Sequence, residues 1–188
     1  VPQMSPIHFQ FIQKAVNLSG WNVEVLQDTS REIIEEGLRY VNNDACYPAI
    51  IVIGQLISAL KSGKYDLNNV SVGITQTGGG CRATNYIGFL RKAMYEAGFK
   101  DVPVVSLSAQ GIEDNGLKEN VSLSLINRGF MAVVYGDLFM KVLYRTRPYE
   151  KVKGSANELY EKWVKICMDS LENAKLSTFS KNIKNIIR

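Results

Sequence analysis

Cys46 and Cys81 are the residues of this sequence whose type and setting are best suited to chemistry. Each stands among polar and turn residues at the start of an expected helix. There the backbone amides and the helix dipole stabilise a thiolate, the form that metal ligation and nucleophilic attack require. Cys81 also follows Gly78, Gly79 and Gly80. Glycines let the chain turn tightly and let a ligand approach main-chain N–H groups with no Cβ in the way. The plainer readings stay open: small buried hydrophobes for the cysteines, a tight strand-to-helix turn for the glycines. An iron–sulfur cluster normally takes four thiolates and a structural zinc takes four ligands, so two cysteines leave ligands to come from elsewhere. A nucleophilic Cys81 would want a base, and His8 is the only imidazole in the chain. His8 falls in the first turn of an expected helix, where a partly exposed polar role is the ordinary one. Cys167 lies in a stripe with Trp163, Ile166 and Leu171 and reads as core filler.

The elements that must hold these residues follow from period and punctuation. Residues 70–75 are β-branched, short and bounded by turn residues, as a buried strand is. From Thr84 the period changes, and Tyr86, Ile87, Phe89, Leu90, Ala93, Met94 and Ala97 share a helical face, with Gly98 where a helix-ending glycine belongs. Residues 49–60 are apolar nearly all round, with Pro48 before them and Gly63 after, which predicts a buried helix started at Cys46. A strand over residues 50–53 is the competing reading. Upstream, Ser5-Pro6 starts a helix that ends near Gly20, residues 21–26 alternate like a strand, and Thr29 or Ser30 starts a helix to about Val41. Downstream, residues 102–107 read as a parallel-type strand followed by a polar loop. Residues 120–144 read as two helices or one bent helix, broken near Gly129 or Gly136, and a last amphipathic helix starts at Ser155. The tail from Lys175 is basic with little core potential.

Alternating strands and helices predict an α/β fold: a parallel sheet flanked by helices, Rossmann-like and three-layered, with a helical C-terminal element. The expected organisation is an α/β domain over residues 1–150 and an amphipathic helix with a basic tail over 151–188. The opening Val1-Pro-Gln-Met-Ser-Pro reads as the end of a strand entering a helix, which predicts a piece of a longer chain with its first strand truncated.

Composition sets outer bounds. At 46% apolar and 21% charged residues the chain has the make-up of a globular protein, and a net charge of +4 with scattered Lys and Arg gives no nucleic-acid footprint. No membrane-length apolar run or signal peptide occurs, and three widely spaced cysteines predict a reduced, cytoplasmic setting rather than a disulfide framework. The glycine triplet is neither a P-loop nor a dinucleotide fingerprint, since no Gly-Lys-Ser/Thr follows it and its spacing differs.

Several segments are distinctive: Pro2-Gln-Met-Ser-Pro-Ile-His-Phe, Tyr40-Val-Asn-Asn-Asp-Ala-Cys-Tyr-Pro-Ala-Ile, Gly54-Gln-Leu-Ile and Thr75-Gln-Thr-Gly-Gly-Gly-Cys-Arg-Ala-Thr-Asn-Tyr. Together they resemble the C-terminal part of large activase-like proteins related to activators of 2-hydroxyacyl-CoA dehydratases, such as the 2-hydroxyglutaryl-CoA dehydratase of amino-acid-fermenting anaerobes. The likeness covers roughly residues 1–165. It implies a dehydratase-like α/β domain that helps bind a [4Fe–4S] cluster through Cys46 and Cys81. Gln76, Thr77, Arg82, His8 and the Gly78–Gly80 turn would stand around the cluster or its ligand. The implied role is ATP-driven, low-potential electron transfer to an acyl-CoA dehydratase or similar reductase. The implied partners are the dehydratase and an ATPase domain in the rest of the same polypeptide, with no nucleic acid and no membrane. The phosphate loops of that ATPase domain do not occur in this sequence, nor is a third dehydratase-type cysteine evident, so no ATP hydrolysis is assigned to these residues. Two other expectations stand beside this one: a cluster-free module that binds a CoA ester or docks the dehydratase, and a thiol-dependent enzyme using Cys81.

Overall fold

The computed structural model describes residues 1–76, 80–108, 111–112 and 122–187. In chain order its elements are α1 (Pro6–Asn17), α2 (Arg31–Leu38), α3 (Tyr47–Lys61), β1 (Val72–Thr75), α4 (Tyr86–Glu96), β2 (Val104–Ser108), β3 (Gly111–Ile112), α5 (Leu123–Thr146), α6 (Ser155–Asn173) and α7 (Leu176–Ile187). A 3-10 turn, Arg82–Asn85, runs directly into α4, and another, Arg147–Tyr149, follows α5. The chain divides into two compact units, Val1–Gln3 with Val25–Asn120, and Met4–Glu24 with Val121–Arg188.

The expectation of a three-layered, Rossmann-like parallel sheet is overturned. Among the described residues helices dominate, and only β1 and β2 run parallel, with β3 antiparallel at the edge of β2. Residues 21–26 alternate in sequence, yet they contribute one parallel bridge, Leu26 with Pro2. Alternation marks a segment able to lie half-buried on a sheet; it becomes a strand only where a neighbour offers a full ladder. The long apolar runs took the other route and satisfied their backbone groups locally as helices. What remains of the α/β expectation is one β1–α4–β2 crossover.

In the first unit, Val72 and Ile74 of β1 face a core that holds Ile53, Leu56, Ile57, Leu90 and Met94. Burying each of these large side chains contributes roughly 1.5–3 kcal/mol. The helix reading of residues 49–60 holds, and α3 is buried on most sides because α2, β1 and α4 all contribute to the same cluster. α2 and α3 touch through their backbones. A Cβ on Gly37 would lie 2.0 Å from the Ile50 carbonyl oxygen, and one on Gly54 would lie 2.0 Å from that of Ile33. α4 ends as its sequence predicts: Gly98 adopts φ +86°, Gly98 N donates to Tyr95 O at 3.2 Å and Phe99 N to Met94 O at 2.8 Å. Those two bonds satisfy carbonyls that the helix end would otherwise strand.

The second unit packs α1 against α5, with α6 and α7 completing the cluster. The rings of Phe11 and Phe139 are stacked, 5.6 Å apart, and Tyr135 meets Phe179 edge-on at 4.9 Å. The Tyr135 hydroxyl, wholly buried, is shared with Ser170 Oγ at 3.1 Å and receives Asn182 Nδ2 at 3.2 Å. α5 is one uninterrupted helix through Gly129 and Gly136. Gly136 is explained by contact, since its Cβ would lie 2.4 Å from the His8 ring. The basic tail folds as α7 and buries Phe179 and Asn182. Glu150 closes the start of α6 by accepting from Gly154 N at 2.7 Å and Ala156 N at 3.0 Å, which holds its carboxyl below the usual range. No described helix is long and apolar enough to cross a membrane.

Candidate thiol site

Both expected thiols stand at helix starts. Cys46 is the N-cap of α3, with φ −74° and ψ 141°, Pro48 in the first turn and Ala49 N donating to its carbonyl at 2.9 Å. Cys81 caps the 3-10 turn that leads into α4, with φ −85° and ψ 146°, and its Sγ accepts from Ala83 N at 3.5 Å. Extended backbone at each cysteine followed at once by helical backbone leaves amide donors facing the sulfur side of the turn. Cys46 is half-buried and Cys81 is exposed.

Tyr86 holds Cys46. Its side chain sits in the core of the first unit, and its hydroxyl shares a hydrogen bond with Cys46 Sγ. Burial pushes the phenol well above its ordinary range, and the bond to Cys46 and negative charge on Cys46 or Cys81 push it the same way. The hydroxyl therefore stays protonated beside Cys46 Sγ. Arg82 adds a second tie, its Nη1 donating to the Asp44 carbonyl at 3.3 Å across from the turn that carries Cys81 to the loop that carries Cys46. Gln76, leaving β1, donates from Nε2 to Ser106 Oγ on β2, so it braces the carboxyl ends of the two parallel strands. Gly80 is exposed and nothing lies within 4 Å of where its Cβ would be. Thr77, Gly78 and Gly79 lie outside the described residues.

His8 belongs to the second unit. Its Nδ1 pairs with Ser5 Oγ at 2.9 Å, its Nε2 with Asp137 Oδ1 at 3.0 Å, and its side chain is only 15% exposed. Both ring nitrogens are thus engaged, Nδ1 at the start of its own helix and Nε2 across to α5. Cys167 is fully buried and burial pushes its thiol up to about 12, which leaves it inert at neutral pH.

Tyr86 is the site residue that the sequence reading passes over, because it falls on the apolar stripe of α4. The available signal was chemical: a tyrosine in a core stripe needs a partner for its hydroxyl, although no spacing pointed to Cys46, 40 residues upstream.

Among the described residues, no group of three or more His, Cys, Asp or Glu side chains is placed to hold a metal ion. Two thiols alone do not complete a zinc or iron–sulfur site. As donors they suit a thiophilic centre: two sulfurs at helix starts, one held by a phenol that can donate to it.

No family model, curated protein or solved structure matches the chain. Its chemistry rests on its own residues.

The approach of the two thiols has a direct test. An arsenical such as phenylarsine oxide bridges two thiols only when their sulfurs approach each other. One equivalent is expected to protect Cys46 and Cys81 together from alkylation, and either Cys46→Ser or Cys81→Ser should abolish the protection. Independent alkylation of both thiols in the presence of the arsenical would refute the juxtaposition.

Proposed function

We propose that this chain is the dehydratase-like region of an activator of the 2-hydroxyacyl-CoA dehydratase kind, in which Cys46 and Cys81 supply two of the thiolates of a [4Fe–4S] cluster. The observation that carries this reading is the pair of cysteines at the starts of α3 and of the helix leading into α4, with the Arg82–Asp44 bond joining the turn that carries one to the loop that carries the other. When bound, the cluster would supply one-electron transfer at low potential, with the energy coming from an ATPase domain elsewhere in the same polypeptide. The chain's own residues orient the donors. α3 and α4 fix the two sulfurs, Tyr86 donates toward Cys46, Arg82 ties the two loops, and Gln76 steadies the strand ends beneath them. The remaining ligands would come from outside the described residues, and the electron acceptor would be an acyl-CoA dehydratase or similar reductase in the cytoplasm of an anaerobe. No nucleic acid or membrane takes part.

Anaerobic reconstitution with iron and sulfide, in the complete polypeptide carrying this region, tests the proposal. A broad visible charge-transfer absorption is expected, with its loss in both Cys46→Ser and Cys81→Ser. No absorption in the unmodified protein, or absorption indifferent to both substitutions, would overturn it. Tight calorimetric binding of a CoA ester that survives both substitutions would favour the cluster-free module instead.

A further inference from the structure

α5 carries a second apolar stripe, on the side away from its buried one. Leu123, Ile126, Phe130, Val133, Met140 and Tyr144 are between 37% and 85% exposed, although Met131, Tyr135, Phe139 and Leu143 of the same helix are buried. The exposed set advances by alternating steps of three and four residues, with Asp137 in the one remaining seam position. That is the spacing of a helix face made to pack against another helix along its length. A helix apolar on both sides has a buried side and a side that awaits cover.

We infer that the cover is α5 of a second copy of this chain, packed antiparallel. The argument for a second copy is area and charge. The six side chains expose on the order of 600 Å² per copy, most of the roughly 800 Å² that each partner contributes to a standard interface. The stripe's only charged residue is Asp137, and it already has His8 as its partner, so the face calls for an apolar helix like itself rather than a basic one. The argument for antiparallel pairing is electrostatic. A parallel pair would set two Asp137 carboxylates against each other, whereas an antiparallel pair centred on residue 135 sets Ile126 against Tyr144 and Phe130 against Met140 of the other copy and keeps the carboxylates apart. A single polar residue in such a seam fixes its register.

The test is the mass of the chain in solution by sedimentation equilibrium at micromolar concentrations. The expected result is twice 21.0 kDa, with Ile126→Glu and, separately, Val133→Glu, which would face Asp137 of the other copy, raising the dissociation constant at least about 100-fold while far-ultraviolet circular dichroism stays unchanged. A monomer at every concentration, or a dimer indifferent to both substitutions, overturns the inference. Direction is tested by Ile126→Cys combined with Tyr144→Cys in a Cys46→Ser, Cys81→Ser background. Along one helix those positions are about 27 Å apart and cannot pair within a copy. Mild oxidation is expected to give a covalent dimer, and its absence would overturn the antiparallel arrangement.

Discussion

Gly54→Ala is expected to destabilise the first unit by about 2 kcal/mol or more, a large effect for the addition of one methyl group. The added Cβ would sit 2.0 Å from the Ile33 carbonyl oxygen and 3.0 Å from the Gly37 amide nitrogen. Both are backbone atoms of α2, so no side chain can rotate away and the two helices must separate. Overpacking of that kind costs about 3 kcal/mol, offset by about 1 kcal/mol because alanine favours helix over glycine. Separation would also loosen the contacts of Ile50, Ile53 and Ile57 with the rest of their cluster. Gly88→Ala is the matched control. Gly88 is an exposed position of α4 with nothing within 4 Å of its Cβ, so the same change there should stabilise by roughly 0.5–1 kcal/mol. Urea denaturation of the two variants beside the parent decides it: equal effects at the two sites would mean that the α2–α3 crossing is not as close as described.

Arg128→Ala is expected to cost the second unit about 3 kcal/mol, and Arg128→Lys to recover little of it. The Arg128 guanidinium donates from Nε to Leu171 O at 3.1 Å, from Nη2 to Glu172 O at 3.2 Å, and from Nη1 to Leu18 O at 3.4 Å and Ser124 Oγ at 2.6 Å. Leu171 and Glu172 lie in the last turn of α6, and Leu18 caps α1, so one side chain satisfies carbonyls at two helix ends that have no partner within their helices. Bonds from a charged donor contribute roughly 1.5–3 kcal/mol each and do not add fully. A lysine supplies charge without the planar fork, and three divergent carbonyls and a hydroxyl cannot be reached by one ammonium. The midpoint of thermal unfolding is the readout, and a lysine variant as stable as the parent would contradict the argument.

The sequence is legible where the deciding contact is local. Pro48 and Gly63 bracket α3, Gly98 ends α4, and Ser5-Pro6 opens α1, because each residue constrains φ or supplies a cap within a few positions of itself. Legibility fails where a distant partner decides. Residues 21–26 have a strand's alternation but find only Pro2, so the wide parallel sheet did not form. Gly136 looks like a break in α5, yet the ring it makes room for lies in α1. The tail looks solvated because Lys175, Lys181 and Lys184 dominate its composition. Phe179 and Asn182, spaced along one side of α7, bury against Tyr135 all the same. At the candidate site the helix-start placement of Cys46 and Cys81 was local and readable. The Tyr86–Cys46 bond and the Arg82–Asp44 tie depend on how α3 and α4 meet, which no spacing in the sequence encodes.

The division of the chain also bears on how it assembles. All of the first unit after Gln3 is a single run, Val25–Asn120, inserted between the two pieces of the second, Met4–Glu24 and Val121–Arg188. During synthesis α1 leaves the ribosome long before the α5 surface that it covers, and Phe11 and His8 must wait for Phe139 and Asp137. Apart from Val1–Gln3, already synthesised, the inserted run draws its core from its own residues and can collapse first. Loop-closure entropy grows only logarithmically with the length enclosed, so joining α1 to α5 afterwards costs little more than a short connection would. The penalty falls on time instead: high contact order makes the second unit the slow one, and nascent α1 is the stretch a chaperone would have to shield.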